Sequence, residues 1–157
     1  MNPPSGNHFD LIKISRARAL FGIDARSLAV FRIAIGILLL IDLAIRIGDL
    51  HSMYSDQGVM PATVVHDYFS GTWRWSLYWI HSSTYFQASL FLIAALLATA
   101  LLAGFYTRLA TIGSWIFLAS IYTRAPFAVN GGDTLLLVLL FWAMFLPLDR
   151  CWSLDAR

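Results

Sequence analysis

Four almost entirely apolar stretches, separated by polar segments, dominate the sequence. They run over residues 27–47, 84–103, 107–123 and 133–148. A helix that crosses the hydrocarbon core of a bilayer needs roughly 20 predominantly apolar residues. The pattern therefore predicts an all-α integral membrane protein, built as a four-helix transmembrane bundle over residues 27–157.

The ends of these stretches carry helix signals. Ser27 is a candidate N-cap, Gly104 a stop signal, and Pro126 follows the third stretch. The fourth stretch is short, because at about 1.5 Å per residue it reaches only about 24 Å. Either Trp152 and the residues before 133 extend this span, or it begins below the membrane surface.

Two polar regions are expected to lie at the membrane surface. Residues 1–26 form a cytoplasmic or interfacial segment, in which residues 11–26 predict a short basic helix attracted to anionic lipid. The loop 48–83 contains the sequence Trp73-Arg74-Trp75-Ser76-Leu77-Tyr78-Trp79. This pattern predicts an aromatic interfacial helix, which would present Trp75, Tyr78 and Trp79 on one face.

Composition and charge support the membrane class. The chain is 59% hydrophobic and only 13% charged, whereas soluble domains carry about 25% charged residues. The net charge of +2 is too small and too dispersed for a nucleic-acid partner. The first apolar run starts near Ser27 and is too long for a signal peptide, so we expect it to stay in the membrane.

Positive charges predict the orientation. By the positive-inside rule, both termini lie in the cytoplasm, and the 48–83 loop shares the outer face with the loop before residue 133. The basic residues assigned to the inner side are Lys13, Arg16, Arg18, Arg26, Arg108, Arg150 and Arg157.

Three ionisable residues fall inside the first span. Arg32 and Arg46 lie on one helical stripe with Asp42 on its flank. Charged groups inside a bilayer are costly unless they are paired or reach the interface. Two interpretations stay open: a structural polar seam that fixes helix packing, or a site for a ligand or a proton.

The sequence Asn130-Gly131-Gly132-Asp133 stands before the fourth span. Asp133 is predicted to be the N-cap of the helix, and Asn130 with the glycines to supply a tight turn. A compatible interpretation is that exposed backbone at this helix start forms an anion or ligand site. The candidate polar site therefore comprises Arg32, Asp42, Arg46, Asn130 and Asp133.

Other chemistry has little support in the sequence. No histidine falls inside a predicted span, so haem is not expected. His51, His66 and His81 share the outer loop at spacings that match no metal motif, and are expected to be solvated. Motifs of nucleophilic, phosphate-binding or zinc-peptidase sites are missing from the sequence, and we predict no metal site.

Five stretches in order resemble the HTTM (horizontally transferred transmembrane) family, which includes the vitamin K-dependent gamma-carboxylases. They cover roughly residues 24–155, and correspond to the first half of the family domain. The stretches are Ser27-Leu28-Ala29-Val30-Phe31-Arg32, Tyr54-Ser55-Asp56-Gln57-Gly58-Val59-Met60-Pro61, Gly104-Phe105-Tyr106-Thr107-Arg108-Leu109-Ala110-Thr111, Asn130-Gly131-Gly132-Asp133 and Trp152-Ser153-Leu154-Asp155.

The resemblance implies a bacterial inner-membrane protein, and its departures weaken an enzymatic role. Carboxylases of the family carry a histidine at the position that matches Gly132, and their proposed catalytic lysine lies beyond the point that matches Asp155. Neither catalytic residue is carried over to this chain. The sequence therefore does not decide whether the protein is an enzyme, but it favours a non-catalytic role.

The function predicted from the sequence is a non-catalytic membrane subunit or scaffold of a larger membrane complex. Its partners would be membrane lipids and other membrane subunits, with lipid or quinone as candidate ligands. The alternative is a quinol-dependent oxidoreductase or carboxylase-like enzyme, or a fragment of one, which would use Asp133, Asp42 and Arg32 around an intramembrane pocket.

Overall fold

The computed structural model describes residues 25–54, 58–59, 61–71, 73–81, 83–148 and 153. The regular secondary structure over these residues is all helical, which confirms the predicted all-α class. The α-helices are α1 (Ala25–Ile47), α2 (Leu50–Tyr54), α3 (Ala62–Tyr68), α4 (Thr84–Ala103), α5 (Thr107–Arg124) and α6 (Gly131–Ala143), with short 3₁₀ helices at Leu77–Trp79 and Pro126–Ala128. The predicted basic helix over 11–26 lies, apart from its last two residues, outside this part of the chain.

The four longer helices pack around a common apolar core, with α4 between α1 and α5 and with α6 against α5 and α1. The closest approach is between α1 and α4, because a Cβ added to Gly36 would lie 2.9 Å from the Cβ of Leu102. Ala94 and Ala98 are also buried on α4. Small side chains thus allow α1 and α4 to pack closely.

The direction of the helices alternates. Gly113 of α5 lies against Leu97 of α4, as expected for two antiparallel helices joined by the turn 104–106. Arg46, at the end of α1, contacts the start of α6 at Asp133. Leu148, which follows α6, contacts Arg32 nearer the start of α1. The loop after α1 and the loop before α6 therefore meet at one end of the bundle, as the sequence predicted.

Two predicted helix ends are confirmed and one is wrong. Gly104 adopts a left-handed conformation (φ 74°) as the C-cap of α4, and α5 begins at Thr107 as predicted. Ser27 is not an N-cap, since α1 already includes Ala25. The first turn of the helix thus lies before the predicted start.

The fourth helix differs from the prediction at both ends. α6 begins at Gly131, because Asn130 provides the cap, and it ends at Ala143 instead of 148. After Ala143 the backbone tightens into 3₁₀-type bonds, in which the N–H of Leu146 donates to the carbonyl of Ala143 (3.2 Å). Pro147 then disfavours helical geometry at the residue before it and supplies no N–H.

The predicted aromatic interfacial helix is also wrong. Only Leu77–Trp79 form a short 3₁₀ helix, and residues 73–76 have no helical structure. Tyr78 is fully buried instead of lying on an exposed face with Trp75. Helical periodicity failed here because contacts with α4 and α5 determine the conformation of this segment.

Two helices in the described part of the chain are long and apolar enough to cross a membrane, Arg26–Ile47 and Thr84–Ala103. Only a minority of the residues in the most apolar stretch of each helix are buried within the protein, 39% in the first and 33% in the second. Most of their surface therefore does not belong to the core of this chain.

Candidate functional site

The guanidinium of Arg46 lies between two carboxylates. Its Nε donates to both oxygens of Asp42 at 3.0 Å, and its Nη2 donates to Oδ2 of Asp133 at 2.8 Å. All three side chains are largely buried. Asp42 and Arg46 lie on the same helix, and the structure adds Asp133 from 87 residues beyond Arg46 along the chain.

Local geometry positions each member of this cluster. Asp42 and Arg46 are one helical turn apart on α1, and this spacing brings their side chains together. Asp133 is held by a capping box, in which its Oδ2 accepts from the N–H of Asn130 at 2.9 Å. Oδ1 of Asn130 accepts in turn from the N–H groups of Gly132 and Asp133.

The capping box corrects the predicted role of Asp133. Asn130 is the N-cap of α6, and Asp133 is the third residue of the helix. Both residue types suit capping, so the sequence alone did not distinguish them. Because it is not the N-cap, Asp133 can direct one oxygen to both the loop backbone and Arg46.

We expect Asn130→Ala to lower the free energy of unfolding by about 0.5–2 kcal/mol, because two N–H groups at the start of α6 lose their acceptor. Unfolding of the purified protein in sodium dodecyl sulfate, followed by circular dichroism, measures the change. Asn130→Ser keeps a capping oxygen and is the control, with a stability near that of the wild type. Equal stability of the Ala and Ser variants would contradict the capping role.

Aromatic side chains enclose the cluster. Arg46 donates from Nη1 to the hydroxyl of Tyr54 at 3.3 Å, and its guanidinium lies over the ring of Tyr122 at 4.9 Å. The Tyr54 ring packs edge-on against Phe91, with centroids 5.2 Å apart. Burial raises the pKa of Tyr54 despite the opposing hydrogen bond from Arg46, and burial also raises the pKa of Tyr78. Both phenols are therefore neutral at physiological pH.

Buried polar side chains hold the long loop onto the bundle at this end. Arg124 is fully buried and donates to the carbonyl of Tyr54 at 3.1 Å. The hydroxyl of Ser76 donates to the carbonyl of Ser120 at 2.7 Å. Gln87 donates to two loop carbonyls, at 2.9 and 2.8 Å. Arg124 was not among the predicted site residues, although its position at the end of an apolar helix is a sequence signal for a buried charge.

Arg32 does not belong to this site. It is 1% exposed and donates to the carbonyl of Leu148 at 3.5 Å, near the opposite end of the bundle. The hydroxyl of Ser153 donates to the carbonyl of Gly104 at 2.6 Å in the same region. Of the five predicted site residues, the structure brings together Asp42, Arg46, Asn130 and Asp133, and it separates Arg32 from them.

A cavity of about 200 Å³ opens beside the cluster. Its ionisable lining residues are Asp42, Asp49, Asp133 and Arg46, and Tyr54 closes one side. This volume is below the roughly 300–1,000 Å³ typical of small-molecule sites. Among the residues that the structure describes, no group of three potential ligands is arranged to hold a metal ion. His51, His66 and His81 are exposed, as predicted.

The chain matches no protein-family model, no curated protein and no solved structure. The resemblance to the HTTM family therefore stays a prediction from sequence.

Proposed function

We propose that this chain is an integral membrane protein with four spans, and that it serves as a non-catalytic subunit or scaffold of a larger membrane assembly. The observation that carries the proposal is the apolar character of the outward helix faces. A surface helix of a soluble protein presents polar residues to water, whereas a helix that is apolar all round is buried or lies in a membrane.

Large apolar side chains cover the outside of all four longer helices. On α1 these include Ile41 and Ile45, which are 50% and 70% exposed, and on α4 Leu92 and Leu96, at 62% and 60%. The outward faces of α5 and α6 continue this surface with Leu109, Ile112, Leu135, Val138 and Trp142, and Phe145 extends it just beyond α6. Lipid tails or neighbouring membrane helices are the partners that such a surface fits.

The four-span topology is part of the proposal. α1 and α4 are long and apolar enough to be full spans, whereas α5 has 18 residues and carries an arginine near each end, Arg108 and Arg124. α6 has 13 residues and reaches only about 20 Å. It would cross the bilayer together with the non-helical residues that follow it, or span a locally thinner membrane.

The geometry around Arg46 supports a structural role over a catalytic one. A general base needs a proton-accepting atom that is free to reach a substrate, but Arg46 engages Asp42 and Asp133 at 3.0 and 2.8 Å. Gly132, which by the sequence resemblance matches a histidine of the gamma-carboxylases, offers only its N–H, which donates to Asn130. The cluster links α1 to α6 and fixes the end of the bundle.

The cavity beside Asp42 and Asp133 favours a second candidate, a quinol-dependent enzyme. Its carboxylate lining could accept protons from a hydroxyl group of a small ligand. If so, Asp133→Asn abolishes oxidation of a soluble quinol in an assay where dissolved oxygen accepts the two electrons and protons, and it preserves the circular dichroism spectrum. Lack of turnover in the wild type, or an unchanged rate in the variant, would reject this candidate.

Topology can be tested with single cysteines in a background in which Cys151 is replaced by serine. A membrane-impermeant maleimide added to intact cells should label Ser70→Cys in the long loop, and should label Phe105→Cys only after permeabilisation. Both positions are exposed. Labelling of both from the same side would contradict the proposed orientation.

The scaffold role is tested by purification in a mild detergent that preserves membrane complexes. We expect other membrane subunits to co-purify with the wild type at a fixed ratio. Trp142→Ser on the outward face of α6 should reduce that ratio, whereas the matched change of Trp73→Ser in the loop should not. A protein that purifies alone and monodisperse would contradict the subunit role.

A further inference from the structure

A second and larger cavity lies at the opposite end of the bundle from Arg46. It has a volume of about 520 Å³ and opens between the start of α5 and the segment that follows α6. Small-molecule sites commonly have volumes of roughly 300–1,000 Å³. α6 ends at Ala143, and residues 144–148, which follow it, line one side of the cavity.

The two walls of this cleft differ in chemistry. The α5 wall is polar and cationic, with Thr107, Arg108 and Thr111. The opposite wall is apolar throughout, and its residues are Ala143, Met144, Phe145, Leu146, Pro147 and Leu148. A ligand that satisfies both walls has to be amphipathic, with an anionic group at one end and a hydrocarbon part at the other.

The guanidinium of Arg108 is the charge that selects an anion. No carboxylate in the part of the chain that the structure describes lies within ion-pair distance of it, and its side chain is exposed at the cleft. It also lies in the first turn of α5, where the helix dipole favours negative charge. The N-cap of this helix, Tyr106, makes no side-chain capping bond.

We infer that the cleft between α5 and the segment after α6 binds a phosphate-bearing lipid. Arg108 would hold the phosphate, and the wall around Phe145 and Leu146 would contact an acyl chain. Arginine forms paired hydrogen bonds with phosphate oxygens, and these charge-assisted bonds are stronger than neutral ones. The lipid source rests on the proposed membrane location, which the labelling experiment tests separately.

The binding test uses the full chain, delipidated in detergent and studied by calorimetric titration. The three probes are dihexanoyl phosphatidic acid, inorganic phosphate and dihexanoyl glycerol, which separate the whole ligand from its headgroup and from its apolar part. We expect phosphatidic acid to bind at least tenfold tighter than either of the others. Equal affinity for inorganic phosphate would overturn the lipid assignment in favour of a free-anion site.

Variants assign the two walls. Arg108→Gln should weaken phosphatidic acid binding by about tenfold or more, since a hydrogen bond to a charged group is lost, and Arg108→Lys should retain part of the affinity. Phe145→Ala should weaken the binding of phosphatidic acid several-fold. It should leave the affinity for inorganic phosphate unchanged. Arg74→Gln, in the loop at the other end, is the matched control. Unchanged lipid affinity in a folded Arg108→Gln protein would overturn the proposal.

Discussion

Replacing Arg46 with methionine should lower the free energy of unfolding by about 3–5 kcal/mol. Removing one partner of a buried ion pair leaves the other charge buried and uncompensated. The free-energy cost of this unpaired charge is much larger than the net stabilisation that the intact pair contributes. Arg46 has two such partners, Asp42 and Asp133, so both lose their counter-charge together. Reversible unfolding in sodium dodecyl sulfate measures the loss.

A compensated variant makes this prediction specific. If unpaired carboxylates cause the loss, adding Asp42→Asn and Asp133→Asn to Arg46→Met should restore most of the stability, because the cluster is then neutral. Arg74→Met is the control for removing an arginine at the same end. A loss of less than about 1 kcal/mol in Arg46→Met alone would contradict this prediction, because it would show that the two carboxylates become hydrated or protonated at little cost.

The second large effect is expected at Gly104, the C-cap of α4. A Cβ at this position would fall on the guanidinium of buried Arg32 and lie 2.6 Å from Oγ of Ser153. The backbone is also left-handed, with φ at 74°. Gly104→Ala should therefore combine backbone strain of about 1–2 kcal/mol with displacement of Arg32, for a total loss of about 3 kcal/mol or more.

Gly71 provides a control that separates these two contributions. Its φ is +102°, yet a Cβ added there would meet no atom within 4 Å. Gly71→Ala should thus show the strain alone, and the same denaturation assay compares the two alanine variants. Equal losses at Gly71 and Gly104 would mean that Arg32 moves aside at no cost.

The positions of α1 and α4 could be predicted from the sequence, because a helix that is buried or lies in a membrane is encoded as a long run of apolar residues. The run from Thr84 to Ala103 became α4 with those bounds. The stripe on α1 that carries Arg32 and Arg46 is buried, together with Leu39 and Leu43. The apolar run of α4 and the helical periodicity of α1 are both properties local to one segment.

Four residues of the candidate site could be predicted from the sequence, but the contact between helices that joins them could not. Asp133 was singled out for its place at a helix start, yet the sequence gives no sign that it contacts Arg46 on another helix. Arg32 lies on the same stripe as Arg46 but 14 residues earlier, too far along α1 to share the site. Pairing between helices depends on their packing, which no local pattern encodes.

The buried arginine at the end of α5 also constrains the order in which the protein can fold. The carbonyl of Tyr54 receives its hydrogen bond from Arg124, 70 residues further along the chain. Ser76 likewise bonds to Ser120, 44 residues later. During synthesis the long loop is therefore complete before Ser120 and Arg124, two of the residues that secure it, have been added. The hydrogen bonds between the loop and α5 can form only after α5 has packed against α1 and α4. The first half of the chain therefore cannot complete its contacts until the second half has been synthesised.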